Sequence, residues 1–143
     1  MSKEKFRVVV GGVVTDGKEI LLGKKPDTED HPISGEWHFP EGHVDEDEEP
    51  EEAVLRELKE KTDLGAEVHQ ILTVYNTGTG AIRILYHCEA ESNEAEAQDD
   101  LEKAKWVGVD ELGETLNDTA EEDSMERDEI QNFIEKLKKM PVV

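Results

Sequence analysis

Residues 42–64, "GHVDEDEEPEEAVLRELKEKTDL", decide how the rest of this chain is read. From Glu49 to about Thr62 the pattern is helical: Val54, Leu55 and Leu58 share one side of the wheel and must face a core. Pro50 suits the first turn, where its missing N–H is no loss, and Glu49, Glu51 and Glu52 sit at the positive end of the helix dipole. The stretch is also crowded with acids. They either keep one helix solvated or include carboxylates that hold a metal.

Upstream, residues 6–14, "FRVVVGGVV", are short and β-branched, and the turn signal "TDGKE" leads into a second apolar run, "ILLGKK". A hairpin is predicted. Residues 26–36, "PDTEDHPISGE", lack periodicity and form a loop long enough to meet a ligand. "WHFPEG" follows as an aromatic strand stub halted by Pro40. Downstream, "EVHQILTVYNTG" and "AIRILYHCEAE" read as two long strands joined near Gly78 and Gly80, and the acidic tract "ESNEAEAQDD" as a solvated loop. "AKWVGV" is a short strand and "DEL" a turn of helix. "SMERDEIQNFIEKLKKM" is a closing amphipathic helix with Met125, Ile130, Phe133, Ile134 and Leu137 inward. Strands on both sides of a central helix imply an α+β fold, a mixed sheet covered by helices.

The chain's 143 residues and 35% hydrophobic content suit one domain spanning residues 1–143, as a monomer or homodimer. Lys and Arg total 16 against 37 Asp and Glu, a net charge of -21, which repels nucleic acids and anionic lipid surfaces. No stable nucleic-acid binding is expected. The opening residues carry no signal-peptide cleavage pattern and nothing approaches a membrane span, so a soluble cytoplasmic protein is predicted. Cys88 stands alone in an apolar alternating run and reads as a buried strand thiol. The five histidines show no zinc spacing.

On a helix, Glu57 and Glu60 lie about 60° apart around the axis. Both carboxylates can then converge on a point just off the surface, beside the apolar stripe of Val54 and Leu58. Neighbouring carboxylates repel unless a cation intervenes, and a hard divalent ion is the natural guest. Arg56 has Glu52 four residues before it and Glu60 four after, so its fork can pin either. The plainer alternative is a set of surface ion pairs.

The register Gly42, five residues, Glu48, seven residues, Arg56-Glu57-Leu58, one residue, Glu60, then Leu64 resembles the signature of the Nudix hydrolase family, G-x5-E-x7-R-E-U-x-E-E-x-G-U with U aliphatic. "GEWHFPEG" and "AKWVGVDEL" are similar to the family's lead-in and closing strand, so the likeness covers nearly the whole chain. It implies a Nudix-type α/β/α sandwich, a mixed β-sheet flanked by the signature helix and a C-terminal helix. It also implies Mg²⁺-dependent, with Mn²⁺ possible, hydrolysis of a nucleoside diphosphate linked to another group, such as a nucleoside triphosphate or nucleotide sugar. Carried onto this chain, the catalytic residues are Glu57, Glu60 and Arg56, with Glu57, Glu60 and Asp100 as metal ligands. Glu57, Glu60 and Asp100 are all candidates for the general base.

The family's second glutamate is Lys61 here, its glycine is Asp63, and the first glycine of its lead-in pair is Glu41. Lys61, four residues beyond Glu57, is placed to pair with it. Three outcomes follow: fewer or weaker ions, a recruited remote acid such as Asp100, or a catalytically weakened nucleotide-binding or regulatory module. Asp63 is expected to enter the left-handed helix end at modest cost, whereas a Cβ at Glu41 should limit a tight turn. Gly42, Trp37 and Arg83 are the substrate-binding candidates, with Tyr75, Asn76 and Tyr86 equally plausible as contacts or packing.

Overall fold

A computed structural model describes residues 7–24, 37–76, 80–98, 101–111, 131–132, 135–136 and 139. The hairpin forms as expected, from β1 (Arg7–Asp16) and β2 (Glu19–Lys24), with Thr15 opposite Ile20 across a turn at Gly17, whose φ of 62° suits a residue without Cβ. β3 (Trp37–His38) and β4 (Glu41–His43) precede α1 (Pro50–Thr62). β5 (Ala66–Asn76), β6 (Ala81–Ala90) and β7 (Lys103–Gly108) follow.

These strands make one seven-stranded mixed sheet with the path β3-β2-β1-β6-β5, while β4 pairs with β1 and β7 with β2. β1 is the hub. It runs parallel to β6 from Arg7 to Thr15, and its other edge is shared by β4 at Val9–Gly11 and β2 at Thr15–Asp16. A central strand covered on both faces needs continuous rather than alternating apolar residues, which is why "VVVGGVV" suits this place.

The two faces divide the core. Val10, Val14 and Leu21 pack with Val54, Leu58 and Leu64 under α1, joined by Tyr86 and Cys88. Val13, Ile20 and Leu22 turn to the opposite face, with Phe39, Leu85 and Val107. Burial pushes the Cys88 thiol up to about 12, consistent with an inert strand cysteine. Leu55 is only half-buried at the margin of the helix face.

Two sequence expectations change. The chain does stop at Pro40, but it resumes at once as β4, a strand with no β-branched residue that is held by backbone pairing to β1. Glu41 lies in that extended strand opposite Gly11, so its Cβ meets no tight turn; among the described residues, Asp63 alone combines a side chain with positive φ. Residues 131–132, 135–136 and 139 are helical, as expected of the closing helix. Its proposed inward face, Met125, Ile130, Phe133, Ile134 and Leu137, lies outside the described residues, as does the loop 26–36. No helix among the described residues is long and apolar enough to cross a membrane.

Candidate functional site

Backbone chemistry fixes both ends of α1. Glu49 is the N-cap and forms a capping box with Glu52, whose Oε1 accepts the Glu49 N–H at 3.3 Å, and Pro50 follows at the first helical position. At the other end Asp63 adopts φ 58° and ψ 22°, its N–H reaching the Lys59 carbonyl at 2.9 Å. This is the left-handed cap expected of it, reinforced by Lys59 Nζ at 3.0 Å from Asp63 Oδ1.

Between these ends, Arg56 gathers the charged groups. Its Nε donates to Glu48 Oε2 at 2.7 Å and its Nη2 to Glu48 Oε1 at 3.0 Å, a bidentate fork. Nη2 also donates to the His43 carbonyl at 2.9 Å, tying α1 to the end of β4. Nη1 donates to Glu57 Oε1 at 3.0 Å and to Glu60 Oε2 at 3.1 Å, so both carboxylates reach one nitrogen. The convergence of Glu57 and Glu60 expected from helical spacing is therefore present. Of the two carboxylates the Arg56 fork was placed to pin, Glu60 is the one bound; Glu52 is engaged by the cap, and Glu48, just outside the helix, is a further partner. The signal for Glu48 was its place in the signature register, with seven residues between it and Arg56.

Gly42 explains itself sterically. A Cβ there would lie 2.0 Å from Glu57 Cδ, so the glutamate carboxyl occupies the space a side chain would take. Packed in this notch, the Glu57 side chain is 13% exposed, against 48% for Glu60. Desolvation raises the Glu57 pKa, opposed by Lys61 and Arg56, whereas hydrogen bonds from Arg56 and the Asp45 backbone lower that of Glu48. The Arg56 guanidinium is held still more firmly protonated, chiefly by Glu48.

Lys61 is buried, with Nζ 3.9 Å from Glu57 Oε2, the pairing its position implied. The acidic tract meets the same end of the helix. Its backbone folds back over the helix end, Glu96 N–H to the Thr62 carbonyl at 2.9 Å and Gln98 N–H to the Lys61 carbonyl at 2.8 Å. Part of the tract read as a solvated loop is thus fastened to α1. Asp100 lies outside the described residues.

Of the substrate-binding candidates, Gly42 is taken up in seating Glu57, and Arg83 and Trp37 have other partners. Arg83 on β6 places Nη2 3.0 Å from Glu41 Oε2, both side chains largely shielded. Trp37 is half-buried against the core on the face opposite α1, with Lys105 Nζ 4.1 Å and Lys24 Nζ 5.8 Å from its ring centroid. Tyr86 is buried beneath α1 and so is packing. Tyr75 pairs with Arg83, and Asn76 with Ile82, across β5 and β6.

Among the described residues no three His, Cys, Asp or Glu side chains form a metal ligand set. Glu57 and Glu60 nevertheless fit a hard cation as a pair. They share one positive partner, and one of them carries a desolvation that a further cation would relieve.

Comparison with known proteins agrees with the geometry. The family model described as NUDIX domain matches residues 5–128. A MutT-like protein of Streptomyces ambofaciens is 28% identical over 109 residues, 76% of this chain and 67% of its own. An ADP-ribose pyrophosphatase of Methanocaldococcus jannaschii is 32% identical over 110 residues, 73% of this chain and 63% of its own. A Caenorhabditis elegans protein is 32% identical over 99 residues, but this chain spans only 26% of its length. Among solved structures, a NUDIX hydrolase from Nitrosomonas europaea superposes with a TM-score of 0.81 at 19% identity, covering 99% of this chain and 77% of that one. The bifunctional NMN adenylyltransferase/ADP ribose pyrophosphatase of Francisella tularensis, complexed with AMP and a manganese ion, gives 0.70 at 20% identity, covering 93% and 42%. At these identities the structures show a shared fold.

Proposed function

From a chain that belongs to the NUDIX family, we propose a metal-dependent pyrophosphohydrolase that cleaves a nucleoside diphosphate linked to another moiety, by water attack on phosphorus. The observation that carries this reading is the meeting of Glu57 and Glu60 on a single nitrogen of Arg56. Glu57 and Glu60 would hold a Mg²⁺ or Mn²⁺ ion, which supplies neutralisation of phosphate charge and a bound water of lowered pKa. Asp100 is proposed as a further ligand from the late loop, because Gln98, two residues before it, bonds to the Lys61 carbonyl.

The chain's own residues divide the work. Arg56, locked on Glu48 by two hydrogen bonds, orients both carboxylates. Glu60 is the more hydrated of the two and suits proton acceptance from the attacking water; Glu57, seated in the Gly42 notch, suits ligation. Trp37, with Lys24 and Lys105 close to its ring, offers a stacking surface with adjacent positive charge for a nucleotide. Arg83 would contact phosphate only by sharing or leaving Glu41.

Relatives named ADP-ribose pyrophosphatase, 8-oxo-dGTP diphosphatase and RNA pyrophosphohydrolase support cleavage of a phosphoric anhydride on a nucleoside. With a net charge of -21, a small nucleotide such as a nucleoside triphosphate or nucleotide sugar is the better guest than RNA. A second reading, a nucleotide-binding module with weakened catalysis, is favoured by the Lys61 ammonium beside Glu57.

A panel of ADP-ribose, nucleoside triphosphates, nucleotide sugars and 5′-triphosphate RNA, assayed with Mg²⁺ and Mn²⁺, separates the readings. The expected result is a nucleoside monophosphate product from a small nucleotide, with turnover reduced at least about a hundredfold in Glu57→Gln while the circular dichroism spectrum is unchanged. Undiminished turnover in that variant refutes the assignment. Affinity without product supports the binding module.

A further inference from the structure

The Glu57 carboxylate is already shared between two fixed cations: Oε1 accepts from Arg56 Nη1 at 3.0 Å, and Oε2 lies 3.9 Å from Lys61 Nζ. The two cations differ in setting. Arg56 is also satisfied by Glu48, Glu60 and the His43 carbonyl. Lys61 lies deeper, its side chain only 7% exposed, and its backbone carbonyl accepts from the Gln98 N–H. Burying an ammonium is costly without a counter-charge, and the Lys61–Glu57 separation is longer than a direct hydrogen bond. The contact is therefore electrostatic in kind, and the lysine acts as a charge set beside the carboxylate.

Charge counting gives that arrangement a purpose. Asp45, Glu48, Glu57 and Glu60 face the guanidinium of Arg56, and Glu57 also faces the ammonium of Lys61. Exchanging that ammonium for a carboxylate replaces a positive charge by a negative one, a difference equal to the charge of one divalent ion. We infer that Lys61 is a resident cation that replaces one divalent ion at this site, holding Glu57 in place without metal and lowering the number of ions the site accepts. The inference rests on Glu57 and Glu60 being the ion site, as proposed above. It makes Lys61 a positioning residue whose effect reaches the ions through Glu57.

Mn²⁺ binding followed by electron paramagnetic resonance, without nucleotide, tests it on the full chain and on Lys61→Glu and Lys61→Met. Lys61→Glu is expected to bind one more Mn²⁺ per chain than the unsubstituted protein. Lys61→Met, which removes the charge but supplies no ligand, is expected to keep the original stoichiometry and bind more tightly. It should also melt at lower temperature than the unsubstituted protein in EDTA and gain more from added Mn²⁺, because the ion then supplies the charge that Lys61 supplies in the unsubstituted chain. Equal stoichiometry in a folded Lys61→Glu overturns the inference. So does a Lys61→Met protein whose Mn²⁺ affinity and melting in EDTA match those of the unsubstituted chain, and this arm decides alone if Lys61→Glu does not fold. No measurement here uses turnover, so an inactive chain with the expected binding pattern would remove the hydrolase reading and leave this one standing.

Discussion

Residues 45–52 and residues 56–61 are both rich in acids, yet they use them in opposite ways. In the first stretch Glu46, Asp47, Glu49, Glu51 and Glu52 are exposed, and the work they do is local: a turn, a cap, a favourable end of a dipole. In the second, Glu57 is fitted into a glycine notch, Lys61 is buried, and Arg56 joins Glu57 and Glu60 to one nitrogen. Glu48 and, more loosely, Asp45 are the exceptions that join them: both lie in the first stretch, Glu48 bonds twice to Arg56, and Asp45 Oδ2 is 3.7 Å from Arg56 Nη2. Acidic composition therefore carries little meaning by itself. What separates a solvated acid from a site acid is the fixed partner it faces.

Removing the shared partner should produce the largest effect. Arg56→Ala leaves Glu48 and Glu57, both mostly shielded, without their strongest counter-charge. Loss of one member of a fully buried pair costs about 3–5 kcal/mol, and partial solvent access at Arg56 reduces the expectation to about 2–3 kcal/mol. Urea unfolding would measure it. A change no larger than a surface substitution would mean that the two stretches are alike after all.

Gly42→Ala should come next, at about 1–3 kcal/mol, the usual cost of forcing extra volume into a packed place. The Cβ would meet Glu57 Cδ at 2.0 Å, so the penalty belongs to this one side chain. In a Glu57→Ala background it should largely disappear, which a double-mutant cycle on urea stability detects. A penalty that survives removal of Glu57 would place the demand for glycine in the β4 backbone instead.

These two positions also show what was readable before any coordinates. β1, the hairpin, α1 and the long β5–β6 pair follow from β-branched runs, turn residues and a single 3.6-residue period, all of which are local. β4 was hidden because Glu41, Gly42 and His43 have no strand preference, and only the neighbouring β1 edge makes them one. The Glu57–Glu60 convergence was visible because both residues lie on one helix. Glu48 was missed as the partner of Arg56 because a helical wheel ranks only residues inside the helix, and Glu52, which it favours, is occupied by the cap. The steric role of Gly42 could not be read at all, since it depends on how closely α1 approaches β4.

Acid titration sharpens the comparison through sign. Glu48 is held below the usual carboxylate value of 4.5, chiefly by Arg56. A depressed folded pKa gives stability that is fully present above the unfolded value and is lost as pH falls through the folded one. Protonating the exposed acids should act the other way, relieving self-repulsion in a chain of charge -21. Below pH 4.5 the unsubstituted protein should therefore lose more stability than Glu48→Gln, whose amide does not titrate. Parallel melting profiles for the two proteins would separate Glu48 from the site.

The smallest effects should fall within the first stretch, where they still have an order. Glu52→Ala removes the acceptor of the Glu49 N–H and opens the capping box, a loss of about 0.5–1 kcal/mol. Glu46→Gln touches an exposed side chain with no capping role, and a change within about 0.5 kcal/mol of zero is expected. Neither should alter Mn²⁺ stoichiometry, because neither side chain is among those meeting at Arg56. Measured together by urea unfolding and Mn²⁺ titration, this pair tests the division at its weakest point. If Glu52→Ala changed ion binding without a matching loss of stability, the first stretch would belong to the site, and exposure would no longer mark its boundary.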